Sequence, residues 1–135
     1  MRGDKEIDMN GKNRKILIVD DEPDVVTYLA SLLEDNGYRT IKAFNGKEGM
    51  ELARKELPDL ISLDITMPEE TGVRMLRNLH DDPATSGIPV VLVTGVDPQY
   101  KDFIEHRKQV NPPAAYFEKP IDKELYLRTI SNILG

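Results

Sequence analysis

Five side chains in this sequence could act together chemically, although they are spread over most of its length: Asp20, Asp21, Asp64, Thr94 and Lys119. Each stands at the end of an apolar run. Lys15-Ile16-Leu17-Ile18-Val19 leads straight into Asp20-Asp21-Glu22-Pro23, and Leu60-Ile61-Ser62-Leu63 stops at Asp64. Pro89 to Val93 ends in Thr94, and Ala114 to Glu118 is closed by Lys119-Pro120. If these runs are parallel strands of one sheet, three carboxylates, a hydroxyl and an ammonium meet at its C-terminal edge, where open α/β sheets hold their ligands.

Converging acids need a counter-charge. Two full charges about 4–5 Å apart repel by roughly 3–4 kcal/mol at an effective dielectric of about 20. Lys119 alone cannot neutralise three acids, whereas a hard divalent cation can. The donors are all oxygens, which suits Mg²⁺ or Mn²⁺ rather than zinc. A carboxylate at the tip of a rigid strand beside such an ion can act as a nucleophile and become an aspartyl phosphate. The cation and the Lys119 ammonium would then stabilise the phosphoryl oxygens, with Thr94 donating to the attached group. A Gly-rich phosphate loop is missing after the first run. The acidic loop in its place would repel phosphate without a cation.

The elements that must position these groups can be read from the hydrophobic pattern. Runs bounded by turn signals predict strands buried on both faces, as in parallel sheets. After the first, Pro23 opens a helix with Val25, Val26, Leu29, Leu32 and Leu33 on one face, and Gly37 ends it. Capping that helix would explain one acid among Asp20, Asp21 and Glu22, but not three. Tyr38 to Ala43 predicts a more polar edge strand. Asn45-Gly46 turns into a helix over 47–55 that buries Met50, Leu52 and Ala53 in some combination. A third helix covers 71–81 with Val73, Leu76 and Leu79 inward. Tyr100 to Val110 predicts a fourth, ended by Asn111-Pro112-Pro113. Asp122 caps the last, with Leu125, Leu127, Ile130 and Leu134 inward. Five alternations of strand and helix predict an α/β, doubly wound, five-stranded parallel sheet with helices on both faces.

Composition narrows the class further. At 135 residues the chain has the size of one domain. A net charge of −6 gives no nucleic-acid footprint, and the absence of cysteine excludes disulfides and sulfur-based metal sites. No apolar run approaches a membrane span, so the expectation is a soluble, cytoplasmic protein. Residues 1–14 read as a flexible polar lead-in, leaving 15–135 as the domain. His80 and His106 are expected to be ordinary surface residues.

In sum, Ile18-Val19-Asp20-Asp21-Glu22, Leu63-Asp64-Ile65-Thr66-Met67-Pro68, Val93-Thr94-Gly95 and Glu118-Lys119-Pro120, in that order on this pattern, resemble the response-regulator receiver domain of bacterial two-component signalling (CheY-like) over 15–134. The resemblance implies the strand order 2-1-3-4-5 of the flavodoxin/CheY-like fold. It implies that Asp64 receives a phosphoryl group from a sensor histidine kinase or a histidine phosphotransfer protein, and that the domain signals without being a turnover enzyme. Asp20, Asp21, Asp64 and the backbone carbonyl of Thr66 would hold Mg²⁺, with Asp20 acting directly or through water. Thr94 and Lys119 would contact the phosphoryl group. Lys119-Pro120 would be cis, and Thr66 and Val96 would tune the lifetime of the phosphorylated state. Tyr116 would be the switch aromatic that follows Thr94, against the plainer reading of an aromatic on an edge strand. The switching surface would be the fourth helix, fifth strand and fifth helix, presented to a downstream protein or a second copy. The implied partners include neither nucleic acid nor membrane.

The sequence departs from the family at Asn111-Pro112-Pro113-Ala114-Ala115, where a tight Gly-Ala turn is usual and the segment before it is shorter. This bears on the output face, and phosphorylation-driven dimerisation is expected to be weak or unusual. Two other readings compete: an interaction module that does not use phosphorylation, and an aspartyl phosphatase. The intact acids, hydroxyl and lysine count against the first. Thr66, where an Asp-x-Asp signature would need a second acid, counts against the second. Flavodoxin-like electron transfer is disfavoured by the acidic first loop.

Overall fold

The structure is a computed structural model describing residues 13–95 and 113–135. The predicted helix over 100–110, Val96, His106 and most of the lead-in lie outside the described residues. Five parallel strands, β1 (Lys15–Val19), β2 (Arg39–Ala43), β3 (Leu60–Asp64), β4 (Val90–Thr94) and β5 (Ala115–Glu118), form one sheet in the order β2-β1-β3-β4-β5. Helices α1 (Pro23–Glu34), α2 (Gly46–Glu56) and α3 (Thr71–Asp81) and a C-terminal helix (Lys123–Leu134) cover it.

Side-chain alternation along the strands builds two cores. Leu17, Val19, Ile61 and Leu63 face α2 and α3, while Ile16, Ile18 and Leu60 face α1 and the C-terminal helix. The central strand β3 is buried throughout, and β2 at the edge is largely not, as its polarity predicts. Helix ends follow local chemistry. Asn45 accepts from the Glu48 amide to cap α2, and Asp122 accepts from the Glu124 and Leu125 amides to start the last helix. Gly37 takes a φ of 92° after α1.

The inward face of the C-terminal helix differs from expectation. Leu125 is exposed, and Tyr126, not foreseen as core, is fully buried. With Ile130 facing the sheet, the residue four before it shares that face, whereas Leu125, five before, is about 140° round the helix. The Tyr126 hydroxyl donates to the Ser62 hydroxyl of β3 at 2.7 Å, and its ring meets Phe117 of β5 edge-on at 5.3 Å. Burial pushes the phenol well above its usual range, against the Ser62 hydrogen bond, so it stays neutral. Tyr126→Phe leaves buried Ser62 without this partner and is expected to cost about 1–2 kcal/mol in urea unfolding. Adding Ser62→Ala should recover part of that loss; strictly additive losses would mean that the two hydroxyls are not coupled.

Candidate functional site

Parallel register brings the ends of β1, β3, β4 and β5 to one edge, so residues far apart in sequence become neighbours. Asp20 follows β1 and its amide donates to the Ala43 carbonyl, which holds it in line with the sheet. Asp64 is the last residue of β3, Thr94 the last of β4, and Lys119 follows β5 with its amide on the Thr94 carbonyl. Asp20, Asp64 and Thr94 are buried, whereas Asp21 is exposed. Carboxylate oxygens of Asp20, Asp21 and Asp64 lie within 4.8 Å of one another.

Lys119 closes this group. Its Nζ lies 3.1 Å from Asp20 Oδ2, 3.3 Å from Asp64 Oδ2 and 2.7 Å from Glu22 Oε1. Burial pulls the ammonium down, but the Glu22 hydrogen bond and the Asp64 and Asp20 carboxylates outweigh it and the net shift is upward. Asp20 moves the other way from a normal acid. Burial pushes it up to about 6, reinforced by the Asp64 charge and opposed by the Glu22 amide and Lys119. An all-oxygen donor set with a buried acid held so unfavourably fits a hard divalent cation.

This crowding has a measurable consequence. Because the folded state raises the Asp20 pKa, its stabilising contribution is complete below about pH 4 and is lost as pH rises through about 6. Asp20→Asn is therefore expected to stabilise the metal-free protein at pH 7 by about 1–3 kcal/mol. The gain should disappear near pH 4, measured by urea unfolding at the two pH values. An equal gain at both would mean that the Asp20 charge is not its source.

Two hydroxyls are arranged differently from a simple cluster around Asp64. Thr94 donates to the Gly95 carbonyl at 2.8 Å. It is Thr66 that reaches Asp64, donating to Oδ1 from its hydroxyl at 2.6 Å and from its amide at 2.8 Å, while the Gly95 amide donates to the Thr66 hydroxyl. Tyr116 on edge strand β5 is half-buried and packs on the core under α2 and α3. Lys119-Pro120 is cis. Thr66, which the resemblance marks as a tuning position, thus touches Asp64 directly. Two contributors could not be singled out from sequence: Glu22 as a partner of Lys119, and Gly72. A Cβ on Gly72 would lie 2.2 Å from the Asp64 carbonyl oxygen, so only glycine lets α3 approach this closely.

A doubly wound parallel sheet carrying an acidic triad and a lysine at its C-terminal edge defines a class, and comparison with known proteins identifies it. Residues 16–131 match the response regulator receiver domain family, and the chain belongs to that family. It is 42% identical over 121 residues to protein PilH of Pseudomonas aeruginosa, covering 90% of this chain and 98% of that one. It is 35% identical over 122 residues to the polar-differentiation response regulator DivK of Brucella anthropi, covering 90% and 97%. Among solved structures, the CheY-like receiver domain protein of Methanospirillum hungatei superposes with a TM-score of 0.78 at 27% identity, covering 90% of this chain and 93% of that one. The protein is thus a receiver domain with the phosphoacceptor role of two-component signalling. Its homologues are signalling proteins, and receiver domains interact with histidine kinases or phosphotransfer proteins and with downstream targets. No described helix is long and apolar enough to cross a membrane.

Proposed function

We propose that Asp64 is the phosphoacceptor and that Lys119, Thr94 and a Mg²⁺ ion held by Asp20, Asp21, Asp64 and the Thr66 carbonyl assist the transfer, Mn²⁺ being an alternative ion. The observation that carries this reading is the meeting of three carboxylates within 4.8 Å of one another, two of them also within 3.3 Å of one ammonium. A bound Mg²⁺ would offset the charge of the acids and of the phosphoryl oxygens.

The chain's own residues do the rest. A carboxylate oxygen of Asp64 forms a bond to phosphorus as the bond from phosphorus to the donor's imidazole nitrogen breaks, its electron pair leaving with that nitrogen. The donor is a histidine kinase or phosphotransfer protein. Strand β3, buried throughout, fixes the nucleophile, and two donors from Thr66 orient its Oδ1. Lys119 supplies positive charge from the opposite side. Thr94 would exchange its bond to Gly95 for one to the phosphoryl group, and Tyr116 would follow it inward. That movement would alter the surface of β5 and the flanking helices for a downstream partner. Residues 1–14 are proposed to lie outside this domain, residues 15–135, and the protein to be cytoplasmic and not a turnover enzyme.

Incubation with acetyl phosphate and Mg²⁺, followed by intact-mass measurement, tests the reading. One phosphoryl group should be gained, removed by hydroxylamine, and absent when Mg²⁺ is chelated. Continuous turnover of the donor without a labelled protein would point to a phosphatase, and no gain at all to a phosphorylation-independent module.

A further inference from the structure

We propose that Glu22 is the exchangeable partner of Lys119: its carboxylate holds the ammonium at the mouth of the site in the unphosphorylated protein and competes for it with a phosphoryl group. The proposal rests on the reading of Asp64 as phosphoacceptor.

Glu22 occupies the N-cap of α1, where a side chain commonly accepts from the first helical amides. It makes no such bond. The side chain instead crosses the site to Lys119, a residue 97 positions later, and its 2.7 Å contact is the shortest of the ammonium's three. An ammonium has three hydrogens to donate, and three carboxylates surround it. Phosphorylation turns the Asp64 carboxylate into an ester, so the phosphoryl oxygens that it brings must share Lys119 with Asp20 and Glu22.

Asp20 and Glu22 differ in how easily they can give up the ammonium. The side chains of Asp20 and Asp64 are 2% exposed and fixed at strand ends, whereas that of Glu22 is 60% exposed. Released, Glu22 passes into water and keeps the favourable end of the α1 dipole, so its departure costs little. Retained, it occupies a donor and sets a like charge against the incoming anion. Both effects have the same sign. Removing the charge of Glu22 should favour the phosphorylated form.

Beryllofluoride, a phosphoryl mimic that binds an aspartyl carboxylate without a transfer reaction, separates this role from a merely structural one. The full chain and its Glu22→Gln, Glu22→Ala and Glu22→Asp variants would be titrated with beryllofluoride at fixed Mg²⁺ and followed by fluorine NMR. Glu22→Gln and Glu22→Ala are expected to bind about two- to fivefold more tightly than wild type, the size of one exposed ion pair. Glu22→Asp should return towards wild type, which loss of packing alone would not produce. Equal or weaker binding by the two neutral variants, with wild type binding normally, would overturn the proposal. A wild-type chain that binds no beryllofluoride would remove the reading of Asp64 and this proposal with it.

Discussion

Asp64→Ala is expected to abolish phosphoryl labelling completely. The side chain ends a strand buried on both faces, and Thr66 binds its Oδ1 while Lys119 approaches its Oδ2. Among the described residues no other carboxylate shares that setting. Asp20 lies beside it, but its Oδ1 accepts from the Glu22 amide and its Oδ2 lies against Lys119, without the two Thr66 donors that orient Asp64. Asp21 is exposed and would meet a donor without the same rigid backing. Asp64→Asn keeps the shape and an acceptor for Thr66 yet lacks the nucleophilic oxygen, so it should be as inactive as Ala. Intact-mass measurement after acetyl phosphate and Mg²⁺ gives the answer for both. Hydroxylamine-sensitive label persisting in either variant would place the acceptor elsewhere.

Gly72→Ala is expected to have the largest effect on stability. The added Cβ would lie 2.2 Å from the Asp64 carbonyl oxygen and 2.7 Å from the Ile65 Cα. Both are backbone atoms, so no flexible side chain can yield, and α3 must move away from the end of β3. Overpacking of this kind costs about 3 kcal/mol, read as a lower urea midpoint. Labelling should slow as well, because the carboxyl group of Asp64 moves with its backbone. Gly87→Ala is the control, since a Cβ there meets nothing within 4 Å, and it should stay within about 0.5 kcal/mol of wild type. Equal stabilities for the two variants would mean that α3 can shift freely and that the contact does not hold the strand end.

Much of the fold is legible in the chain because both of its signals are local. Apolar runs stop where the backbone leaves the sheet, and helix faces repeat with the helical period, so all five strands were identified within about two residues. The acids, Thr94 and Lys119 could be assigned to one edge because a parallel sheet leaves little choice: every strand ends on the same side. Leu125 and Tyr126 mark the limit of such reasoning. Both are large and apolar in body, they are adjacent, and only the seating of the helix on the sheet decides which turns inward. In that seating the tyrosine hydroxyl meets Ser62, sixty-four residues earlier, as its hydrogen-bond partner.

The order of residues was thus enough to determine the alternation of the described strands and helices and which chemically capable groups stand at strand ends, because each follows from local pattern and from chain direction. Only the tertiary structure decided that Glu22 holds Lys119, that Thr66 reaches Asp64 while Thr94 turns to Gly95, and that Gly72 must lack a side chain. Those are matters of ångströms between elements that touch only after the chain has packed, and no spacing along the sequence encodes them.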